Sequence, residues 1–367
     1  MQTASKFMNY RRSLFTPREH FRSVLAFLLL PLLFAFLATA ARAQEPGDDI
    51  ISVDASLVRL NVGVADLRGR AITDLARPDF VVYEDGVKQT ITNFEPTQTP
   101  FSLVLLLDMS GSTLRFRQTL VQAAIRFLDA LAPADRVAIV SFSARKKGDK
   151  GQIRTIDQLD LLAGFSSDRS KLAFAIEGAR GSGETNLYKA LDYSLGLLAK
   201  EQTRRKAIVV LTDGIDTDQS KQDRLAAAAA ETGEAALAAV KPEQNATLNA
   251  ILNAADRQGV TVYPMALPSG DPARIPIPTP QQIAIYGAAR TRLQALANRT
   301  GGRLHAINRL EDMGRIYAEV AAEMRTLYSI VYQSTNAGTR DGKWRAINIE
   351  VTRPQLIART RPGYYAR

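Results

Sequence analysis

Three short, almost wholly apolar runs place the strongest constraint on how this 367-residue chain can fold. They lie at residues 103–107, 136–142 and 206–212. Apolar runs of this length without alternation are typical of parallel strands that are buried on both faces. Helical patterns separate the runs, and strand and helix alternate over residues 100–326. The sequence therefore predicts an α/β fold with a doubly wound, mostly parallel sheet in a three-layer αβα arrangement.

Segments with period-2 alternation flank this region on both sides. Residues 50–96 contain alternating apolar positions and a hairpin pattern, and residues 327–367 return to the same alternation. We predict a small accessory β module at 50–96, the α/β domain at 100–326 and a C-terminal β segment at 327–367. The C-terminal segment either joins the N-terminal module or packs as a β tail on the flank of the main domain.

Residues 1–43 have the three parts of a secretory signal peptide. A basic stretch precedes an apolar run from Val24 to Ala38, and small residues at positions 41 and 43 predict cleavage after Ala43. An uncleaved anchor is the alternative, although a membrane span requires about 20 residues. A twin-arginine pattern at Arg11-Arg12 is weak beside such an apolar run. We expect a secreted, periplasmic or cell-envelope protein that meets the membrane only if the signal is retained.

Charge and composition exclude several classes of protein. The net charge of +10 falls to +5 without the signal, which carries six Lys or Arg and one Glu. This charge is too mild and dispersed to indicate nucleic-acid binding. The chain has no cysteine, which excludes disulfides and a thiolate metal site. The sole histidine after the signal is His305, so a His-rich zinc site is excluded as well.

A group of oxygen-bearing side chains follows the buried runs. Asp108, Ser110 and Ser112 come directly after the first run, and Asp213 follows the run at 206–212. Ligands of open α/β sheets bind at the carboxyl ends of the strands, where we also expect Thr185. Two carboxylates and three hydroxyls suit Mg²⁺, which prefers oxygen ligands and retains some waters. Because neutral hydroxyls leave part of the metal charge unbalanced, such a site favours an external carboxylate.

The D-x-S-x-S run, the downstream threonine and a later T-D-G run resemble the metal-ion-dependent adhesion site of von Willebrand factor type A domains. The resemblance covers about residues 100–330. It implies that Ser110, Ser112 and Thr185 bind the metal directly, while Asp108 and Asp213 complete the site directly or through water. It also implies Mg²⁺, with Mn²⁺ or Ca²⁺ as alternatives, and a protein partner that presents an Asp or Glu carboxylate.

Further runs resemble a group of secreted bacterial proteins with von Willebrand factor A-related domains. The resemblance to this group bears on the architecture more than on the function, because it implies no particular ligand. It also assigns no role to the Ala-rich stretch at 223–257 or to the loop at 268–282. The runs are Asp79 to Gly86, Asn186 to Leu191, Thr300 to Arg303 and Arg361 to Tyr365.

Other interpretations of these motifs stay open. Serine is common at helix caps, so Ser112 alone is also compatible with a capping role. Residues 178–185 superficially fit a phosphate loop, but Glu184 stands where a lysine is required, so we expect no nucleotide. The basic run around Lys146 is either a solvated hairpin tip or a patch that steers an acidic partner.

The sequence as a whole predicts an exported, non-enzymatic protein-binding module of the adhesion type. One alternative is a structural scaffold of the envelope whose metal only stabilises the sheet. A metal-assisted hydrolase is a third class, but His305 is the sole histidine available to it as a general base.

Overall fold

The computed structural model describes residues 57–97, 99–149, 152–201, 205–274, 276–336 and 341–366. The predicted signal peptide at 1–43 and the first residues of the predicted module at 50–96 lie outside these ranges. All of the described residues belong to one compact unit, Asp54–Arg367. Within the same ranges, no helix has both the length and the apolar character that crossing a membrane requires.

The described strands form two sheets, one at the centre of the predicted α/β domain and one built from the two ends of the chain. In chain order the strands are β1 (Leu57–Asp66), β2 (Phe80–Glu84), β3 (Val87–Glu95), β4 (Phe101–Asp108), β5 (Arg136–Asp149), β6 (Gln152–Ser166), β7 (Arg205–Thr212), β8 (Val260–Ala266), β9 (His305–Ala306), β10 (Leu327–Gln333), β11 (Trp344–Val351), β12 (Leu356–Arg359) and β13 (Gly363–Tyr365).

The α-helices connect the strands of the central sheet, and short 3₁₀ turns lie between several elements. In chain order the helices are α1 (Arg117–Ala130), α2 (Arg169–Glu177), α3 (Leu187–Leu198), α4 (Thr217–Ala226), α5 (Gly233–Val240), α6 (Ala246–Gln258), α7 (Pro280–Thr300) and α8 (Met313–Arg325).

The central sheet has the strand order β6-β5-β4-β7-β8-β9. All neighbours are parallel except β6, which pairs antiparallel with β5 at one edge. Leu103, Leu105 and Leu107 of β4 pack into one apolar cluster, and Val104 and Leu106 pack into a second. Both faces of the strand are therefore covered, which is why the run is apolar at every position. The prediction of a doubly wound, mostly parallel sheet is confirmed.

The second sheet is antiparallel and has the order β12-β1-β10-β3-β2-β11-β13. Strand β10 from the C-terminal segment lies between β1 and β3, and its register with β1 runs from Leu57 opposite Gln333 to Gly63 opposite Leu327. Alternate residues of β1, beginning at Val58, supply the core of this sheet. The N- and C-terminal segments thus form one accessory sheet, and the alternative of a β tail on the flank of the main domain is wrong.

Buried polar contacts join the accessory sheet to the central domain. The Asn61 side chain on β1 donates to the Thr261 hydroxyl on β8 at 2.8 Å. Arg361, next to β13, donates to the backbone oxygen of Asp256 at 2.7 Å and to its carboxylate at 3.2 Å. The guanidinium of Arg299 on α7 lies 4.5 Å from the centre of the Trp344 ring on β11. These contacts fix the two sheets to each other as parts of one unit.

Several boundaries differ from the sequence patterns for local reasons. The pattern predicts a helix from residue 114, but Gly111–Phe116 form a 3₁₀ turn and α1 begins after it. The helix expected near residue 286 begins at Pro280, because Thr279 and Gln282 form a capping box that shortens the expected loop at 268–282. The Ala-rich stretch at 223–257 is divided among α4, α5 and α6.

The region around Lys146 also differs from its expected form. The sequence predicts a basic loop after the second strand, whereas β5 continues to Asp149 and pairs with β6 as far as Gln152. The basic run is therefore part of a strand in a long hairpin and not of a loop. Its interpretation as a steering patch stays a prediction.

Glu84 is a fully buried carboxylate in the accessory sheet. It accepts hydrogen bonds from the hydroxyls of Tyr332 at 2.7 Å, Ser334 at 2.6 Å and Tyr364 at 3.0 Å, and from the Asn336 amide at 3.1 Å. Burial raises the pKa of a carboxyl group, but these donors outweigh the burial and hold the pKa of Glu84 below its ordinary value of 4.5. The network joins β2 to β10 and β13, which lie beyond its neighbours β3 and β11 in the sheet.

We predict that Glu84→Gln lowers the free energy of unfolding by about 2 kcal/mol at pH 7, because its NH₂ group faces donors that then lack an acceptor. A carboxyl whose folded pKa is lowered stabilises the protein above its unfolded pKa and loses this effect as the pH falls. Urea denaturation between pH 7 and pH 3 is therefore expected to show a steeper acid loss for the wild type than for Glu84→Gln. Glu350→Gln, at an exposed position on β11, is the control. Equal acid dependence of wild type and Glu84→Gln would contradict the prediction.

Candidate metal centre

Asp108 is the last residue of β4 and lies at the carboxyl edge of the central sheet. Its carboxylate is fully buried and accepts hydrogen bonds from the Ser110 backbone N–H at 3.0 Å and from the Thr212 hydroxyl at 2.8 Å. The guanidinium of Arg117 donates to the carbonyl oxygen of Met109 at 2.9 Å. Arg117 thus holds the backbone of the turn that follows Asp108. Thr212 ends β7, so it links the neighbouring strands β4 and β7 at this edge.

The two predicted serines lie beside this carboxylate. Their Oγ atoms are 3.1 Å apart, and Ser110 is buried while Ser112 is exposed. Ser110 stands at the N-cap of the 3₁₀ turn, but its side chain makes no capping hydrogen bond. The N-cap of α1 is Phe116, so Ser112 does not cap that helix. Neither hydroxyl therefore caps a helix. Each bonds with a carboxylate of the cluster, Ser110 with Asp108 and Ser112 with Asp213.

Asp213 follows β7 and reaches the same cluster. Its carboxylate is buried and accepts hydrogen bonds from the backbone N–H of Ile215 at 3.1 Å and from the Ser112 hydroxyl. Its charge acts on Asp108. The structure thus brings Asp108, Ser110, Ser112 and Asp213 together, because β4 and β7 are adjacent parallel strands that end at one edge.

Thr185 lies in a loop that is tied to both strand ends through backbone contacts. The Gly111 N–H donates to the carbonyl oxygen of Gly183 at 2.8 Å. Gly181 packs so closely on Met109 that an added Cβ would lie 2.6 Å from the Met109 side chain. Thr185 itself is buried, and Thr217 bonds both its N–H and its carbonyl oxygen at 2.9 Å. The fifth predicted residue is therefore held between the Asp108 turn and the segment after β7.

The two carboxylates lie in an unfavourable electrostatic environment. Burial raises the pKa of Asp108, and the charge of Asp213 raises it further. Burial also raises the pKa of Asp213. Among the described residues, neither carboxylate forms an ion pair with a lysine or arginine. Two adjacent buried carboxylates without a cation are costly, so the arrangement fits a bound divalent cation.

The donor set distinguishes between metals. Across the described ranges, no group of three or more His, Cys, Asp or Glu side chains is arranged to hold a metal. The predicted centre instead combines two carboxylates with hydroxyls. Such a set is unsuited to zinc, whose sites use histidine and thiolate, and it suits Mg²⁺, which takes few carboxylates and retains waters. The set of five ligands stays a prediction.

Sequence reasoning missed two residues that shape the centre. Thr212 belongs to the T-D-G run, yet nothing in the sequence indicates that its hydroxyl binds Asp108 from a neighbouring strand. Arg117 acts across a turn that the sequence pattern assigns to helix. Asp216 caps α4 by accepting from the N–H groups of Asp218 and Gln219.

Residues 102–266 match the family model described as the von Willebrand factor type A (VWA) domain. The chain contains a VWA domain. The match begins in β4 and ends with β8, so it includes all five predicted metal-site residues and excludes the accessory sheet. No curated protein matches the chain.

Among solved structures, the chain is similar to a von Willebrand factor type A protein from Catenulispora acidiphila, with 13% identity, a TM-score of 0.41 and coverage of 85% of this chain and 63% of that one. The vWF domain of the type V pili tip protein Mfa5 from Porphyromonas gingivalis has 13% identity, a TM-score of 0.43 and coverage of 62% and 95%.

The pilus adhesin SpaC from Lactobacillus rhamnosus GG has 14% identity, a TM-score of 0.41 and coverage of 78% of this chain and 48% of that one. The chain thus spans less than two thirds of the length of the first and the last of these three proteins. Their similarity is too low to transfer a function.

We predict that Asp108→Asn stabilises the VWA domain in the presence of a chelator, by on the order of 1 kcal/mol, because it removes one of two adjacent buried charges. A carboxyl whose folded pKa is raised destabilises the protein above that pKa and ceases to do so as it is protonated. The wild type in chelator is therefore expected to gain stability between pH 8 and pH 6, and Asp108→Asn to gain less. Thermal unfolding measures both, and a less stable Asp108→Asn in chelator would contradict the prediction.

Proposed function

We propose that this protein is an exported binding protein of the adhesion type that holds Mg²⁺ in its VWA domain and coordinates an acidic group of a partner protein. The ligands of the metal are Asp108, Ser110, Ser112, Thr185 and Asp213. When bound, the metal supplies a positive charge with a coordination position for an external oxygen. VWA domains generally bind proteins, and they often carry such a metal.

One observation carries the proposal. Asp108 and Asp213 are both buried at the carboxyl edge of the sheet, act on each other electrostatically and form no ion pair among the described residues. Burying these two charges destabilises the folded protein, and a divalent cation bound between them would offset this effect. The Ser110 and Ser112 hydroxyls beside them supply further oxygens.

The exposed position of Ser112 would allow a partner to reach the metal. Ser110 and both carboxylates are buried, whereas Ser112 lies at the surface of the turn. A metal held by these residues therefore lies near the protein surface on the side of Ser112. Hydroxyl ligands carry no charge, so the metal retains attraction for a carboxylate of the partner.

Two other functions are weaker. In a structural scaffold the metal stabilises the edge of the sheet and partner binding does not require it. A hydrolase would use His305, which lies in the edge strand β9 and whose pKa burial lowers to about 4. Such an imidazole is a weak base, so the hydrolase has little support. Export is supported by the signal pattern of residues 1–43.

We predict that Mg²⁺ raises the melting temperature of the protein and that a chelator reverses the effect. Thr185→Val keeps the shape of the side chain but removes a hydroxyl ligand, so it is expected to weaken Mg²⁺ affinity about tenfold or more in calorimetric titration. Thr291→Val, in the middle of α7, is the matched control and is expected to bind Mg²⁺ as the wild type does. Wild-type protein without any response to Mg²⁺ or Mn²⁺ would reject the metal centre.

A second measurement separates adhesion from scaffolding. Partners recovered from envelope extract with the wild type are expected to be lost in chelator and with Thr185→Val. Partners that are retained equally under all of these conditions would favour the scaffold, in which the metal has only a stabilising role.

A further inference from the structure

A cavity of about 660 Å³ lies where the accessory sheet meets the VWA domain. Strands β1 and β12 line one side, and β9 and α8 line the other. We call it the junction cleft. None of the five predicted metal-site residues lines it. Its volume is in the range of ligand-binding pockets. The lining residues that matter here are Leu67, Arg303, His305, Glu323 and Ile357.

The walls of the junction cleft are largely apolar. Leu356 and Ala358 of β12 pack on the core of the accessory sheet, whereas Ile357 points the other way and lines the cleft. Ile357 is 59% exposed, and Leu67, in the turn after β1, is 68% exposed. Two large apolar side chains left open to solvent at the rim of one concave surface indicate a surface that binds a partner.

Charged side chains also line the cleft. Asp66 and Glu319 pair with Arg70 and Arg315, and Arg359 lies on β12. Arg303 Nε lies 3.8 Å from Glu323 Oε2, and His305 Nε2 lies 3.9 Å from the same oxygen. Both distances exceed hydrogen-bond length. Burial lowers the pKa of His305, so this imidazole is neutral at pH 7. A neutral hydroxyl can bridge Arg303 and Glu323 from one side, because it can accept from the guanidinium and donate to the carboxylate.

The edge strand beside the cleft can bind an extended chain. Strand β12 is the last strand of the accessory sheet and pairs with β1 alone among the strands described. An edge strand presents backbone N–H and carbonyl groups on its open side, and an extended peptide can pair with them. The occupant that satisfies both the edge strand and the cleft is therefore a polypeptide segment with an apolar side chain that ends in a hydroxyl.

We propose that the junction cleft binds an extended segment of a partner polypeptide, whose tyrosine side chain enters the cleft and whose hydroxyl bonds with Arg303 and Glu323. Tyrosine combines an apolar ring with one polar tip, which matches the apolar walls and the loose ion pair of Arg303 and Glu323. This site is independent of the metal centre and needs no cation.

The test compares acetyl-Val-Tyr-Val-amide with acetyl-Val-Phe-Val-amide and with p-cresol, titrated into the full chain in the presence of chelator. The tyrosine peptide is expected to bind about tenfold more tightly than the phenylalanine peptide, since one hydrogen-bonded hydroxyl distinguishes them. It is also expected to bind about tenfold more tightly than p-cresol, which cannot pair with the β12 edge.

Substitutions of residues that line the cleft test whether the peptides bind there. Arg303→Met and Glu323→Met, each alone, are expected to reduce the preference for tyrosine to less than about twofold. Leu67→Glu is expected to weaken both peptides. Leu225→Glu is the matched control, because Leu225 is 77% exposed on α4 and does not line the cleft. Thermal unfolding of each variant serves as the control for correct folding.

Three results would overturn the proposal. Equal affinity for the tyrosine and phenylalanine peptides would exclude hydroxyl recognition. Equal effects of Leu67→Glu and Leu225→Glu would place the binding elsewhere. Binding of p-cresol as tight as that of the peptide would show that the cleft takes a small phenol and not a polypeptide. Because every titration contains chelator, a failure here leaves the metal centre untouched.

Discussion

The burial of two neighbouring carboxylates, Asp108 and Asp213, is the constraint on which the rest of the structure depends. Asp108 ends β4 and Asp213 follows β7, and both strands are covered on both faces, so the two carboxylates lie at the edge of the sheet with little water around them. Hydrogen bonds from Ser110, Thr212 and Ser112 orient them but carry no full positive charge. Without a cation, the fold holds a repulsive pair at the place where open α/β sheets bind their ligands.

The sequence predicts the central sheet well because its signal is local. Residues 103–107 and 207–211 are apolar at every position, and this pattern has few explanations other than a strand buried on both faces. Four of the five metal-site residues follow from it, because parallel strands bring their carboxyl ends to one edge. The roles of Thr212 and Arg117 are less predictable. The Thr212 side chain bonds with Asp108 on the neighbouring strand, and the Arg117 side chain bonds with the backbone of the turn after β4. A 3₁₀ turn in place of the first helical residues cannot be distinguished by periodicity either.

The joining of the two chain ends in one sheet is a long-range feature that alternation alone leaves open. The sequence allows either a joint module or a β tail, and the choice depends on which backbone pairs with β1. Strand β10 fills the position between β1 and β3, and buried contacts such as Asn61 to Thr261 fix the result to the VWA domain. This union also forms the junction cleft. Four elements that are distant in the sequence line this cavity, so no pattern within any one of them predicts it.

The most direct test of the central claim is anomalous diffraction from crystals grown with Mn²⁺. We predict one strong anomalous peak at the carboxyl edge of the central sheet. The Mn²⁺ ion there is expected to be coordinated by Ser110 and Ser112 and to lie within direct or water-mediated reach of Asp108, Thr185 and Asp213. A peak elsewhere, or an edge with no peak while both carboxylates remain buried and unpaired, would contradict it.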